Sequence, residues 1–171
     1  SGLVNGTTYY YVLTAVDISS NESVYSSEVS VTPSLIIQEN TAGYCGVDSG
    51  TIDSNHAGYT GTGFINGDNV IGCGANWSVS VPAAGTYWLT WRYANGSSDR
   101  SADVVINGAA AVLAFSFPGT GAWTTWAEVS VDATLNAGVN TIRLNPATAG
   151  GLANIDYLMV AAYGPEAASC P

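Results

Sequence analysis

The chain has 171 residues, enough for one sizeable core and short for two full domains. Only 9% of them are charged, and thirteen acidic residues face three arginines, for a formal net charge of −10. That imbalance excludes nucleic acid and anionic membrane surfaces as partners, because either would be approached against repulsion.

No apolar run approaches the roughly 20 residues of a membrane-spanning helix, and no signal peptide opens the chain, so a soluble protein is expected whose N-terminus reads as a cut. Abundant Gly, Thr, Ser, Asn and Ala with 11% aromatics fit a secreted, extracellular all-β protein.

Residues 1–33 form the first unit. From Tyr9 to Asp17 side chains alternate, Tyr9, Tyr11, Leu13 and Ala15 on one face and Tyr10, Val12, Thr14 and Val16 on the other. A Ser/Asn/Asp loop and a second run ending at Pro33 complete a hairpin. "GLVNGTTYYY" and "NESVYSSEVSVTP" resemble the last two strands of a fibronectin type III domain, and the resemblance implies the end of a spacer module. An accessory hairpin of the following domain is the other reading.

Residues 34–163 carry short alternating runs separated by turns, the pattern of a β-sandwich of two antiparallel sheets. In "TYWLTWRYA", Tyr87, Leu89, Trp91 and Tyr93 share the core face, with Trp88, Thr90 and Arg92 opposite. In "NTIRLN", Ile142 and Leu144 point in, and Thr141, Arg143 and Asn145 point out. The Asn95-Gly96 and Asn107-Gly108 pairs read as hairpin turns. Residues 164–171 read as a C-terminal tail. Of three cysteines, Cys45 and Cys73 lie in Gly-flanked contexts and are expected to pair, closing a loop worth about 3 kcal/mol. Cys170 is left over, and three buried thiols are the alternative.

Within this frame "IIQENTAGYCGVDSGTIDSNHAGYTGTGF", "VPAAGTYWLTWRYANGSSDR", "VVINGAA", "FPGTGAWTTW", "LNAGVNTIRL" and "GLANIDYLMV" occur in order. Together they resemble a carbohydrate-binding module of family 35, a relative of family 6, over residues 36–160. The resemblance implies a jelly-roll sandwich with no catalytic activity. It implies calcium as cofactor, held by Glu39 and Asp156. Ile37 stands where relatives often have a further acid, which leaves Gln38 or backbone carbonyls to complete the shell. It further implies a sugar site at one end of the sandwich from Tyr59, Arg100, Trp123 and Asn154, with Trp126 as the rival stacking ring. A ring, an amide and a guanidinium suit the C–H faces and hydroxyls of a sugar. Arg100 suits a uronic acid, since its fork matches a carboxylate. Asp48 and Asp53 would hold a second calcium, or simply shape an Asx-turn loop. His56 reads as a loop histidine.

The expected function is calcium-dependent binding of uronic-acid-containing plant cell-wall glycans by a monomeric module covalently linked to a polysaccharide-degrading catalytic domain. Binding of neutral galactose- or mannose-containing chains is the second reading, and a structural sandwich without sugar affinity the third. An enzyme would need acid-base or nucleophilic machinery; acids such as Asp99 and Asp103 could be invoked as a pair, but their loop setting is equally that of solvated turns.

Overall fold

The computed structural model describes residues 2–171, and among these there is no helix. Strands β1 (Tyr9–Tyr11) and β2 (Val29–Val31) pair antiparallel, Tyr9 opposite Val31. A bridge from Val16 to Glu22 extends the hairpin, and the Asp17 carboxylate closes its tip by accepting from the Ser19 and Asn21 backbone N–H groups. Two strands have no second layer to bury against, so Tyr10, Leu13, Ile18 and Tyr25 stay exposed. The hairpin meets the sandwich through its Asn5-Gly6 turn. Asn5 Nδ2 donates to Pro165 O at 2.8 Å, and Gly164 N donates to Asn5 O at 2.6 Å. A Cβ on Gly6 would stand 1.8 Å from Ala162 O.

The sandwich strands follow in chain order: β3 (Leu35–Gln38), β4 (Tyr44–Val47), β5 (Gly50–Asp53), β6 (Phe64–Gly67), β7 (Ala75–Val81), β8 (Gly85–Ala94), β9 (Ala102–Ile106), β10 (Ala109–Phe115), β11 (Trp126–Leu135), β12 (Gly138–Pro146), β13 (Asn154–Ala161) and β14 (Glu166–Ala167). One six-stranded sheet runs β10-β9-β12-β7-β14, with β4 also on β7; the other runs β11-β8-β13-β6-β5, with β3 also on β13. All pairings are antiparallel.

Side-chain alternation decides what lies between the sheets. Tyr87, Leu89, Trp91 and Tyr93 of β8 and Ile142 and Leu144 of β12 are buried, while Trp88 is exposed. Trp77, Trp91, Phe115 and Phe117 meet at tilted or edge-on angles, the arrangement aromatic quadrupoles favour.

Two expectations are corrected here. Asn107 and Gly108 both have positive φ (52° and 81°) and make the tight β9–β10 turn, but Asn95 and Gly96 do not enter that region. Asn95 is instead fully buried. The disulfide joins Cys45 to Cys170, not to Cys73, which is a buried free thiol donating to Ser49 O. The reason is register. β4 and β14 lie along one edge of β7, Tyr44 opposite Trp77 and Ala167 opposite Val79, which brings Cys45 and Cys170 within 5.5 Å Cα to Cα. Residues 164–171 are thus part of the sandwich rather than a free tail.

Strand β13 is irregular where it meets β8. Ile155 faces Tyr93 and Tyr157 faces Arg92, so Asp156 is the extra residue of a β-bulge.

Candidate functional site

Strand β13 begins at Asn154, which is buried at the floor of a cavity of about 170 Å³. His56, Asn66, Asn69, Arg100 and Trp123 line the rest. Arg100 is held from three directions: Nε donates to Ser97 Oγ at 3.0 Å, and Nη1 donates to Asn69 Oδ1 and Leu152 O, both at 2.8 Å. Its guanidinium lies 4.8 Å over the Trp123 ring. Burial lowers its pKa, but arginine stays charged at any ordinary pH. Nη2 has no protein partner among the described residues, so two N–H donors of a fixed cation remain for a ligand. Trp123 also faces the His56 ring, 6.3 Å away and 22° from parallel.

Three of the residues expected from the sequence, Arg100, Trp123 and Asn154, are therefore together. Tyr59 and Trp126 are not in the cavity lining. Tyr59 packs on Phe64 at 5.9 Å. Trp126 is a buttress: Nε1 donates to Ala57 O at 3.0 Å, its ring meets Phe64 edge-on at 5.5 Å, and Arg92 lies 5.2 Å above it. These contacts support the loop that carries His56. His56, Asn66 and Asn69 are the lining residues the sequence did not mark for the site, since an Asn or His among Gly and Asp is also ordinary turn chemistry.

A second cluster lies where β3 meets β13. Thr62 donates through both N and Oγ1 to Glu39 Oε1, each at 2.8 Å. Thr60 N donates to Asp156 Oδ1 and Oδ2 at 3.0 and 3.1 Å. Arg92 Nη1 pairs with Asp156 Oδ2, and Arg92 Nη2 donates to Gly58 O. Asp156 has no exposed surface. Burial pushes its carboxyl pKa up, against the downward pull of Arg92 and Thr60. Glu39 Oε2 and Gln38 Oε1 are buried with no hydrogen-bond partner. Gly61 (φ 69°) leaves room beside them, since a Cβ there would stand 2.7 Å from Gln38 Oε1 and 3.1 Å from Glu39 Oε1. Two orphan hard oxygens beside a buried carboxylate fit a divalent cation such as calcium. Among the described residues no three His, Cys, Asp or Glu side chains gather round one point, so Gln38 and backbone oxygens would have to contribute.

Asp48 and Asp53 are spent separately. Arg143 grips Asp48 with both terminal nitrogens, at 3.1 and 2.6 Å, and this ion pair holds the Asp48 pKa down to about 2. Asp53 accepts from Thr51 and Asn66, and these hydrogen bonds lower its pKa too. Because Asp48 is depressed in the folded state, its contribution to stability is complete above 3.8 and is lost as pH falls through about 2. Asp48→Asn is therefore expected to flatten the acid limb of the stability curve between those values, as followed by tryptophan fluorescence. Asp99 and Asp103 bond Ser116 Oγ and Ala114 N, which places them in turn and sheet structure rather than facing each other. A roomier groove of about 360 Å³ lies over the Cys45–Cys170 bridge, but its one charged side chain, Arg143, is occupied by Asp48, Asn76 and Gly72 O.

The family model for carbohydrate binding module (family 6) matches residues 38–162. Over 138 residues the chain is 44% identical to endo-1,4-beta-xylanase B of Cellvibrio japonicus, covering 80% of this chain and 23% of that protein. It matches alpha-L-arabinofuranosidase C of the same organism equally, at 44% over 138 residues and 22% of that protein. The chain thus spans less than a quarter of the length of these relatives. A family 35 carbohydrate-binding module from an environmental isolate superposes with a TM-score of 0.77 at 44% identity, covering 80% of this chain and 99% of that one. A family 35 module solved with a glucuronic-acid-containing disaccharide gives the same TM-score of 0.77 and identity of 44%. With the sandwich, the polar cavity at its end and these matches in hand, the chain belongs to the carbohydrate-binding modules of the related families 6 and 35, and is non-catalytic.

Proposed function

We propose that this module binds a single terminal uronic acid residue of a plant cell-wall glycan in the cavity around Arg100. The supporting observation is Nη2 of Arg100, a fixed cation with unused donors beside an aromatic wall and a buried amide. A cavity of about 170 Å³ suits one sugar unit, well below the roughly 300 Å³ at which sites for larger ligands begin. The similar module solved with a glucuronic-acid-containing disaccharide supports the same ligand class. Gln38, Glu39 and Asp156 would hold calcium, which when bound supplies positive charge to the two orphan oxygens and ties β3 to β13. In this reading the module is an appended part of a secreted polysaccharide-degrading enzyme. The hairpin, with its apolar side chains uncovered, is the end of a fibronectin type III spacer.

Calorimetry with glucuronic acid, galacturonic acid, glucose and galactose tests the ligand. Micromolar-to-millimolar binding of the acids and none of glucose is expected. Arg100→Ala should weaken the acids roughly 10- to 100-fold, the worth of a charged hydrogen bond. Asn154→Ala should weaken every sugar, because the buried amide serves hydroxyls common to all. Equal affinity for glucose and glucuronate would favour the neutral-sugar reading, and no binding in millimolar calcium would overturn both. A chelator should lower the melting temperature, and calcium should restore it.

A further inference from the structure

Besides the Arg100 N to Phe117 O and Ser116 Oγ to Asp99 bonds, one buried residue ties the loop that carries Arg100 to the loop that carries Trp123. Asn95 has no exposed surface, and both ends of its amide are in use. Oδ1 accepts from Ser97 N at 3.0 Å and Ser97 Oγ at 2.8 Å, and Nδ2 donates to Ser98 O at 2.9 Å and Phe117 O at 2.8 Å. Its backbone N donates to Thr120 Oγ1 at 3.0 Å, and its carbonyl accepts from Thr120 N at 2.7 Å. The links continue outward on both sides. Ser97 Oγ accepts from Arg100 Nε, while Thr120 Oγ1 donates to Ala122 O, next to Trp123. A replacement lacking the amide removes hydrogen bonds to both loops at once, to Ser97 and Ser98 on one side and to Phe117 O on the other.

Gly96 then sets where the indole lies. A Cβ on Gly96 would stand 2.5 Å from Trp123 Cδ1 and 2.6 Å from Nε1. Its φ lies outside the left-handed region, so alanine there meets no backbone strain; what it meets is the tryptophan edge. Trp123 is seated on bare backbone, and its distance from the Arg100 guanidinium follows from that seat.

We propose that Asn95 and Gly96 are positioning residues of the sugar site, Asn95 locking the two loops into one frame and Gly96 fixing the depth of Trp123 against Arg100. The proposal rests on the sugar reading of this cavity. It makes the site preorganised, with its ordering completed on folding rather than on binding.

Titration of the whole chain with glucuronic acid in calcium is the test, alongside thermal melting. Gly96→Ala is expected to weaken binding at least 10-fold while the melting temperature moves by no more than a few degrees. Trp123→Phe, whose smaller ring relieves the contact, should bind more weakly than the parent, and adding Gly96→Ala to it should cost less than threefold more. That non-additivity is the mark of a positional role. Asn95→Asp, which keeps the acceptor and loses the donor, should weaken binding and lower the melting temperature, with Ser97→Ala giving a milder loss of binding. Parent-like affinity in Gly96→Ala overturns the proposal, as does an equal penalty in both backgrounds, or a melting loss beyond ten degrees in Gly96→Ala that makes the residue a fold determinant. If the parent binds no sugar at all, the sugar reading fails first and the proposal falls with it.

Discussion

Asp156→Ala is expected to destabilise the module by about 3 kcal/mol and to lower its melting temperature by about 10 °C. The carboxylate sits with no exposed surface between Arg92 and Thr60. An intact buried ion pair contributes little, because desolvation nearly offsets the attraction, but removal of one partner leaves the other uncompensated. The low end of the usual range applies because the Arg92 side chain keeps 21% of its exposure and so some hydration. Arg92 would also lose the geometry that aims it at Gly58 O and over Trp126, loosening the loop behind His56. Differential scanning calorimetry in calcium and in chelator separates the causes. Loss of the chelator response in Asp156→Ala identifies the residue as a metal ligand, and a retained response restricts it to the ion pair. An unchanged melting temperature in both would remove both roles.

Cys170→Ser, or reduction of the parent, should cost between about 2 and 5 kcal/mol. The bridge spans 125 positions, for which loop-closure entropy gives about 5 kcal/mol, and measured losses for native disulfides run somewhat lower. Release also frees β14 from β7, so exchange protection should fall first at Ser80, whose N–H lies on the β14 edge of β7 as Ser78's does. Cys73→Ala should leave the sensitivity to reductant intact, since Cys73 takes no part in the bridge. Thermal melts with and without dithiothreitol read both outcomes.

These residues also mark how far the sequence carries. Period-two alternation identified the buried faces of β8 and β12, because a strand covered on one side writes its environment into every second residue. The Asn107-Gly108 turn was legible for the same local reason. Asn95-Gly96 has the same letters and another use, and only the meeting of two loops distant in sequence reveals it. Cysteine pairing was misread because neighbours along the chain are not neighbours along an edge of β7. Arg100, Trp123 and Asn154, singled out through motifs, line one cavity. Trp126, read as their rival, turns out to face the loop from behind, a direction that strand parity does not encode.

The bulge at Asp156 carries one more consequence. Tyr93 and Trp91 lie two apart on β8, yet their inward partners on β13, Ile155 and Leu158, lie three apart. The strand therefore changes phase across Asp156, and a chain lacking this residue would alternate without interruption, Ile155, Leu158 and Val160 falling into step by themselves. The carboxylate is supernumerary to the sheet. A lineage could gain or lose the ion-pairing device by a single-codon insertion or deletion, with every other side chain of the strand still facing the layer it faces now.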